Sequence, residues 1–272
     1  MENNSIKVQC PAKINLSLRV LNKRNDGFHN IESIMQTIDL FDYLTISISE
    51  ADDNLILLSG NSSEIPYGES NLVYKAAKSF LVECGLSGYK IEVFIEKNIP
   101  VSAGLAGGST DAAGMIFGLN KLFGNRLDEC DLHKLCARLG SDLNVCLKGG
   151  RLLAKGRGEI IEPLEFEDLD VNLIKPLNFG ISAKEAYTKF SYKIENNIST
   201  ELRKTFVNDL EWAVIDDYPQ LQFIKNKYPP SVMTGSGSAY YSLEEEFFPE
   251  AGFLVINGLK STDLGVKEVE KI

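Results

Sequence analysis

The segment Pro100-Val101-Ser102-Ala103-Gly104-Leu105-Ala106-Gly107-Gly108-Ser109-Thr110-Asp111-Ala112-Ala113 has the makings of an anion site. Glycines let the backbone approach a ligand closely. The apolar run that follows predicts a helix, whose first turn presents unpaired N–H groups and the positive end of its dipole. Ser109 and Thr110 add hydroxyl donors at that turn. No lysine follows the glycines as in G-x-x-x-x-G-K-[ST], and the spacing is not G-x-G-x-x-G. A glycine cluster before a helix is also an ordinary structural turn; Gly104, Gly107 and Gly108 within five residues, with two hydroxyls at the cap, favour the anion site. A second cluster, Met233-Thr234-Gly235-Ser236-Gly237-Ser238-Ala239, reads alone as a hairpin turn. Together the two clusters can close on opposite sides of one polyanion, which makes Gly235, Ser236 and Gly237 candidates.

A phosphoryl group held at such a loop invites transfer to an alcohol. That reaction wants a carboxylate to receive the hydroxyl proton and a cation to offset charge on the phosphate and the attacking oxygen. Lys13 and Asp142 have the right types. Alone, Lys13 reads as a solvated strand lysine and Asp142, in Leu139-Gly140-Ser141-Asp142, as a cap or turn carboxylate; spacing does not show that they meet. In the polar turn Arg24-Asn25-Asp26-Gly27-Phe28-His29-Asn30, Phe28 beside the His29 imidazole can hold a planar base, or can dock on the core. His29 and His133 form no two-His metal pattern, and the five cysteines lack C-x-x-C spacing. The cysteines read as reduced packing thiols, and no dedicated metal site is expected.

Which elements carry these groups follows from hydrophobic period. From Lys13 to Val20 apolar and polar residues alternate, predicting a half-buried strand with Lys13 and Asn15 on one face. Leu44 to Ser49 and Ile91 to Ile95 repeat the pattern, while Asn22 to Asn30 is turn-rich. Ser70 is predicted to cap a helix through Val73, Ala77, Phe80, Leu81 and Cys84 that stops at Gly85. Further helices are predicted from Thr110 to Phe123 and from Asp128 to Leu139. Arg151 to Ile161 reads as a hairpin and the acidic Glu162 to Asp170 as a linker or exposed edge. A boundary near residue 160 would divide the chain into domains 1–160 and 161–272. Downstream, Ser182 to Glu185 has capping-box spacing, Phe206 to Tyr218 reads as an amphipathic helix, and Ser231 to Leu243 as strand, glycine turn, strand. Strands interleaved with helices, several antiparallel by proximity, predict an α+β fold rather than a doubly wound sheet.

The 272 residues, 44% hydrophobic and 24% charged, are those of an ordinary globular chain, which excludes disorder and fibrous repeats. A net charge of −10 carries no footprint of a nucleic-acid or anionic-membrane binder. No apolar run approaches the ~20 residues that span a bilayer, and Met1 to Ser5 lacks a basic n-region, so a cytoplasmic location is expected, with no nucleic-acid and no membrane partner. An anionic ligand then needs a local positive patch, for which Lys13, Arg19, Arg24 and Lys97 are candidates.

In this order, Pro11 to Leu16, Pro100 to Ala113 and Thr234 to Ser238 resemble the three motifs of the GHMP kinase superfamily. Lys13 with Asn15, Arg24 to His29, Met35 to Leu40, Leu139 to Asp142 and Val207 to Glu211 resemble the branch acting on an alcohol that bears cytidine diphosphate. The resemblance implies two α+β domains with the active site in the cleft between them, and ATP as phosphoryl donor with Mg2+ carried by the nucleotide. Asp142 would be the general base, and Lys13 would activate the hydroxyl oxygen and stabilise the transferring phosphate. Asn15 would contact substrate, Phe28 and Tyr187 would stack on the cytosine from either side, and His29 would read its polar edge. Pro100, Gly104, Gly107, Gly108, Ser109 and Thr110 would hold the ATP phosphates, Asn71 and Lys97 would line the adenine pocket, and Gly235, Ser236 and Gly237 would face the substrate. A monomer or weak homodimer is expected. The alternatives are another GHMP small-molecule kinase, of mevalonate or homoserine type, and a nucleotide-binding module without catalysis. The chain departs from the pattern at Leu143-Asn144-Val145, where Val-Pro-Phe is usual, and at Phe28, where Tyr is common. A further departure is the short stretch Glu244 to Glu250, where a helix is expected.

Overall fold

The computed structural model describes residues 4–271. Its first half holds strands β1 (Ser5–Asn15), β2 (Arg19–Lys23), β3 (His29–Glu50), β4 (Leu55–Gly60) and β5 (Tyr89–Glu96), with helix α1 (Leu72–Glu83) before β5. Helices α2 (Gly107–Leu122), α3 (Glu129–Leu139) and α4 (Leu143–Lys148) follow, then strands β6 (Arg151–Gly156), β7 (Ile160–Pro163) and β8 (Asp170–Pro176). The remainder is α5 (Ala183–Glu195), α6 (Thr200–Arg203), α7 (Asp209–Val214), α8 (Pro219–Lys227), β9 (Val232–Met233), β10 (Tyr240–Ser242), β11 (Phe253–Lys260) and β12 (Lys267–Lys271). The α+β class expected from the sequence is what is found. Among the described residues no helix is long and apolar enough to cross a membrane.

The first sheet runs β12-β1-β3-β5-β4, with β2 and the β6–β7 hairpin also paired along it. Every pairing is antiparallel except β4 with β5. Alternation decides which face is wet: Ile6, Val8, Leu44, Ile46, Ile91, Val93 and Ile95 point to a core shared with Val73, Phe80, Met115, Ile116 and Leu119 of α1 and α2. Helix α2 lies unusually close to β1, because a Cβ on Gly114 would sit 2.3 Å from Cys10 Sγ. The second sheet, β11-β8-β10-β9, is wholly antiparallel and is packed by α5, α7 and α8 around Trp212, Phe190, Leu221 and Ile224.

The two sheets are not independent. A third cluster, in which Ala12, Ile14, Ile38 and Leu105 meet Leu173, Ala239 and Tyr241, cements them together. Leu18 N donates to Val207 O at 3.1 Å and Asp209 N to Leu18 O at 2.9 Å, so the loop after β1 is laced to the start of α7. A boundary at residue 160 runs through the β6–β7 hairpin, and β12 returns from the far end of the chain to pair with β1. The first sheet therefore draws on both ends of the sequence.

Several local expectations shift for identifiable reasons. The strand expected from Lys13 to Val20 is two strands, broken at Leu16 to Leu18 where the chain bonds to Ile34 and Val207. Lys13 and Asn15 do share a face, but that face is buried by the glycine loops rather than half-exposed. Asn71, not Ser70, caps α1. Helix α2 starts at Gly107, three residues before Thr110, because Ala106 adopts φ 60° and turns the chain into the helix there. Helix α7 begins only at Asp209, since Asn208 is held extended and bridged to Leu18. Between β10 and β11 residues 243–252 form no helix; buried Phe247 anchors the stretch.

Candidate active site

The site is a cleft of about 1210 Å³, larger than the ~300–1,000 Å³ of a typical single-ligand pocket. Its floor is where three segments converge. A bulge in the β1–β3 pairing, between Pro11 and Ala12, offsets the end of β1 and turns Lys13 and Asn15 into the cleft. Lys13 N donates to Leu105 O at 3.1 Å, Ala239 N donates to Ala103 O at 3.1 Å, and the Thr234 hydroxyl accepts from Asn15 N at 3.0 Å. Both glycine clusters thus rest on the same strand.

The clusters also touch each other. A Cβ on Gly104, at φ +79°, would meet Thr234 O at 2.1 Å, and one on Gly235 would meet Gly104 O at 2.8 Å. Gly104→Ala is therefore expected to cost about 2 kcal/mol of stability or more, through left-handed strain and separation of the loops. Denaturant unfolding measures it, with Gly108→Ala as reference because a Cβ there meets nothing within 4 Å. No side chain caps α2, so the N–H groups of its first turn are left for a ligand at Gly107, Gly108 and Ser109.

Lys13 Nζ donates to Asn15 Oδ1 at 2.7 Å and to Gly104 O at 3.0 Å, and lies 3.5 Å from Asp142 Oδ2. The two groups that spacing alone could not join are thus neighbours. Asp142 occupies the N-cap position of α4, yet its side chain makes no capping bond and remains free to face Lys13. Behind it, Asn144 donates to Glu159 O at 2.8 Å. Its position in the first turn of α4, where proline also fits, explains how the departure at Leu143-Asn144-Val145 leaves the Asp142 turn in place.

Other expected residues are in the cleft wall with their polar atoms already engaged. Asn15 gives Oδ1 to Lys13 and donates Nδ2 to Ser33 Oγ at 2.8 Å, so it orients the lysine. Asn71 accepts from Val73 N at 2.8 Å and donates to Pro66 O at 2.6 Å, bracing the Ile65–Pro66 rim. Lys97 is clasped by Asp42 and by Asp111 at 2.9 Å. Burial works against the Lys97 charge, but the two carboxylates outweigh it and hold its pKa above the ordinary value. Burial pushes the Asp111 carboxyl up, against the pull of Lys97. Pro100 lines the cleft as expected. Thr110 and Gly237 do not: the Thr110 side chain is turned into the core, and Gly237 stands behind Gly235 and Ser236.

At the far end of the cleft, Phe28 and Tyr187 do not face each other as a ring pair. Phe28 is half exposed beneath the Arg157 guanidinium, 4.9 Å from its ring centroid. Tyr187 instead stacks on His29, with centroids 5.2 Å apart and 15° between planes. His29 Nε2 is 2.9 Å from Ser191 Oγ. Burial, with help from Lys23, lowers the His29 pKa.

The expected positive patch is also rearranged. Arg19 is spent on Asp209 and Arg24 on Asp26, and neither lines the cleft. Lys23, Lys184 and Arg157 line it instead, and Lys23 and Lys184 have no acidic partner among the described residues. Sequence reasoning missed Arg157 and Ser191, and it named Thr234 only as part of the second glycine cluster. Ser191 had a signal, four residues beyond Tyr187 and so on the same helix face.

Residues 71–150 match the GHMP kinases N-terminal domain. With an uncapped helix behind a glycine loop, and a lysine–carboxylate pair where that loop meets a second one, the protein is a GHMP-type small-molecule kinase. Over 265 residues it is 38% identical to the 4-diphosphocytidyl-2-C-methyl-D-erythritol kinase of Clostridium tetani, covering 90% of this chain and 91% of that one. The same-named enzyme of Clostridioides difficile is 39% identical over 263 residues, 88% and 86% of the two chains. The chain belongs to the 4-diphosphocytidyl-2-C-methyl-D-erythritol kinase family. The crystal structure of a 4-(cytidine 5'-diphospho)-2C-methyl-D-erythritol kinase superposes with a TM-score of 0.73 at 26% identity, over 94% of this chain and 100% of that one. A homoserine kinase from Cytophaga hutchinsonii shares the fold, with a TM-score of 0.68 at 16% identity, over 99% of this chain and 98% of that one.

Proposed function

We propose that the protein transfers the γ-phosphoryl group of ATP to the 2-hydroxyl of 4-diphosphocytidyl-2-C-methyl-D-erythritol, a step in non-mevalonate isoprenoid precursor synthesis. The observation that carries this reading is the Lys13–Asp142 pair, 3.5 Å apart, at the junction of the two glycine loops. In the reaction Asp142 accepts the hydroxyl proton as the substrate oxygen bonds to the γ-phosphorus. The bond from that phosphorus to the β,γ-bridging oxygen breaks, and ADP leaves with the electron pair. Lys13, aimed by Asn15 and Gly104 O, offsets charge on the attacking oxygen and the moving phosphoryl group. The first turn of α2 and Ser109 hold the phosphates.

Magnesium would arrive with the nucleotide and would supply charge neutralisation at the phosphates. The donor set beside the loop fits a hard cation: Ser109 lines the cleft, and Asp111 does so with a buried Oδ1 that has no hydrogen-bond partner. Lys23, Lys184 and Arg157 supply positive charge for the substrate diphosphate, while Phe28, Tyr187 and His29 receive the cytosine. Both ligands are charged and water-soluble, consistent with a cytoplasmic enzyme. One chain supplies the whole cleft, consistent with a monomer or weak homodimer.

Magnesium-dependent ADP release should be compared with 4-diphosphocytidyl-2-C-methyl-D-erythritol, mevalonate and homoserine at one enzyme concentration. Turnover confined to the cytidine compound is the expected result. Turnover of mevalonate or homoserine instead would assign another GHMP activity, and ATP binding with no turnover of any would leave a nucleotide-binding module. Phe28→Ala should raise KM for the cytidine substrate about tenfold while leaving KM for ATP near its original value, the loss of one base-stacking face.

A further inference from the structure

We infer that Ser191 is a positioning residue for nucleobase recognition: its hydroxyl holds the His29 ring so that a nitrogen, rather than a carbon, faces the base. The inference rests on the cytidine reading above. His29 opens β3, is 9% exposed, and lines the cleft together with Tyr187 and Ser191 of α5. Its plane is set on one side by the stacked Tyr187 ring and on another by Phe190, whose ring meets it edge-on at 6.0 Å.

Stacking fixes the plane of an imidazole but not its sense. Turning the ring over exchanges Nδ1 with Cδ2 and Nε2 with Cε1, and the aromatic contacts tolerate either orientation. The Ser191 hydroxyl does not, because only Nε2 can share a hydrogen bond with it at the observed 2.9 Å. With Nε2 so held, Nδ1 is the remaining polar atom of the ring, and it makes no hydrogen bond to any described residue.

The serine's own geometry points the same way. In helices such hydroxyls commonly return to the carbonyl four residues back, as Thr188 Oγ1 does to Lys184 O at 2.7 Å. Ser191 reaches across to β3 instead, joining two segments 162 residues apart in sequence. Its half-buried setting gives the bond weight without confining it.

Burial lowers the His29 pKa and so favours the neutral ring, in which one nitrogen donates and the other accepts. A hydroxyl can partner either tautomer, so Ser191 sets orientation and leaves the tautomer to the ligand. The pairing edge of cytosine offers an acceptor nitrogen beside an amino donor, and a fixed Nδ1 can meet one of them. A ring free to turn over would present a C–H to both for part of the time.

Steady-state kinetics on the full-length enzyme test this, using the cytidine substrate and its uridine counterpart at saturating ATP. Ser191→Ala should raise KM for the cytidine compound about fivefold, the scale of one neutral hydrogen bond, with a much smaller change in kcat. Because the tautomer follows the ligand, the uridine counterpart should lose about as much and the preference should stay, and Ser191→Thr should restore KM. Unchanged KM in Ser191→Ala would overturn the inference. So would parallel losses in kcat, KM and melting temperature, which would make the hydroxyl merely structural. A direct readout is independent of substrate. The chain has only two histidines, so the ring nitrogen resonances of His29 can be assigned by His133→Gln. They should move in Ser191→Ala and return in Ser191→Thr. If the resonances behave so but the native enzyme ignores the cytidine compound, the functional reading fails while the His29–Ser191 bond stands.

Discussion

Asp142→Asn should lower kcat by about 10²- to 10⁴-fold, the usual contribution of a positioned general base, while ATP affinity stays within about twofold. The substitution preserves shape and removes the proton-accepting charge. Asp142 makes no capping hydrogen bond, so α4 loses nothing by the change, and the glycine loop that holds the nucleotide phosphates is untouched. Lys13 keeps Asn15 Oδ1 and Gly104 O as acceptors and remains aimed at the cleft. ADP release measures the rate and calorimetric titration the ATP affinity. A variant that turns over at the native rate would remove Asp142 from the base role and leave Lys13 without its partner in the mechanism.

Asp209→Ala should cost about 3 kcal/mol of stability. That is the lower end of what breaking a buried ion pair costs. Asp209 is fully buried; it accepts from Arg19 Nη1 at 3.0 Å and from Val20 N at 2.7 Å, and it pairs with Arg203. Truncation strands a backbone N–H and two guanidiniums at the seam between the sheets. The lower end applies because both arginines retain some water, with 41% and 27% of their side chains exposed. Equilibrium denaturation gives the value, and Asp26→Ala, which breaks the exposed pair with Arg24, should change stability little. Native-like stability in Asp209→Ala would mean that the apolar cluster of Ala12, Ile14, Leu173 and Tyr241 holds the seam unaided.

The sequence was most legible where local chemistry acts alone. The period-two runs at Leu44 to Ser49 and Ile91 to Ile95 became strands, and the cap at Ser182 formed as its spacing required. It was least legible where a residue's partner lies far along the chain. Arg19 and Arg24 are cationic in any reading, but only folding shows them spent on Asp209 and Asp26 rather than on a ligand. Asn15 lines the cleft as expected and, in addition, orients Lys13: Lys13 and Thr234 donate to its Oδ1 while its Nδ2 donates to Ser33 on the neighbouring strand.

By its own residue types and spacings, this sequence determined an α+β chain with a glycine loop opening a helix, a second small-residue loop, and a lysine and an aspartate of the right chemistry. Local backbone preference and hydrophobic period suffice for that, since each acts within one or two turns of chain. What the tertiary structure alone decided is where those groups meet. Lys13 and Asp142 stand 129 positions apart (142 − 13) and come to 3.5 Å. Gly104 and Gly235 interlock only because one strand carries both loops. His29 acquires its orientation from a serine 162 residues away. Such contacts arise from burying two sheets against a common core, a property of the whole chain that no window of sequence contains.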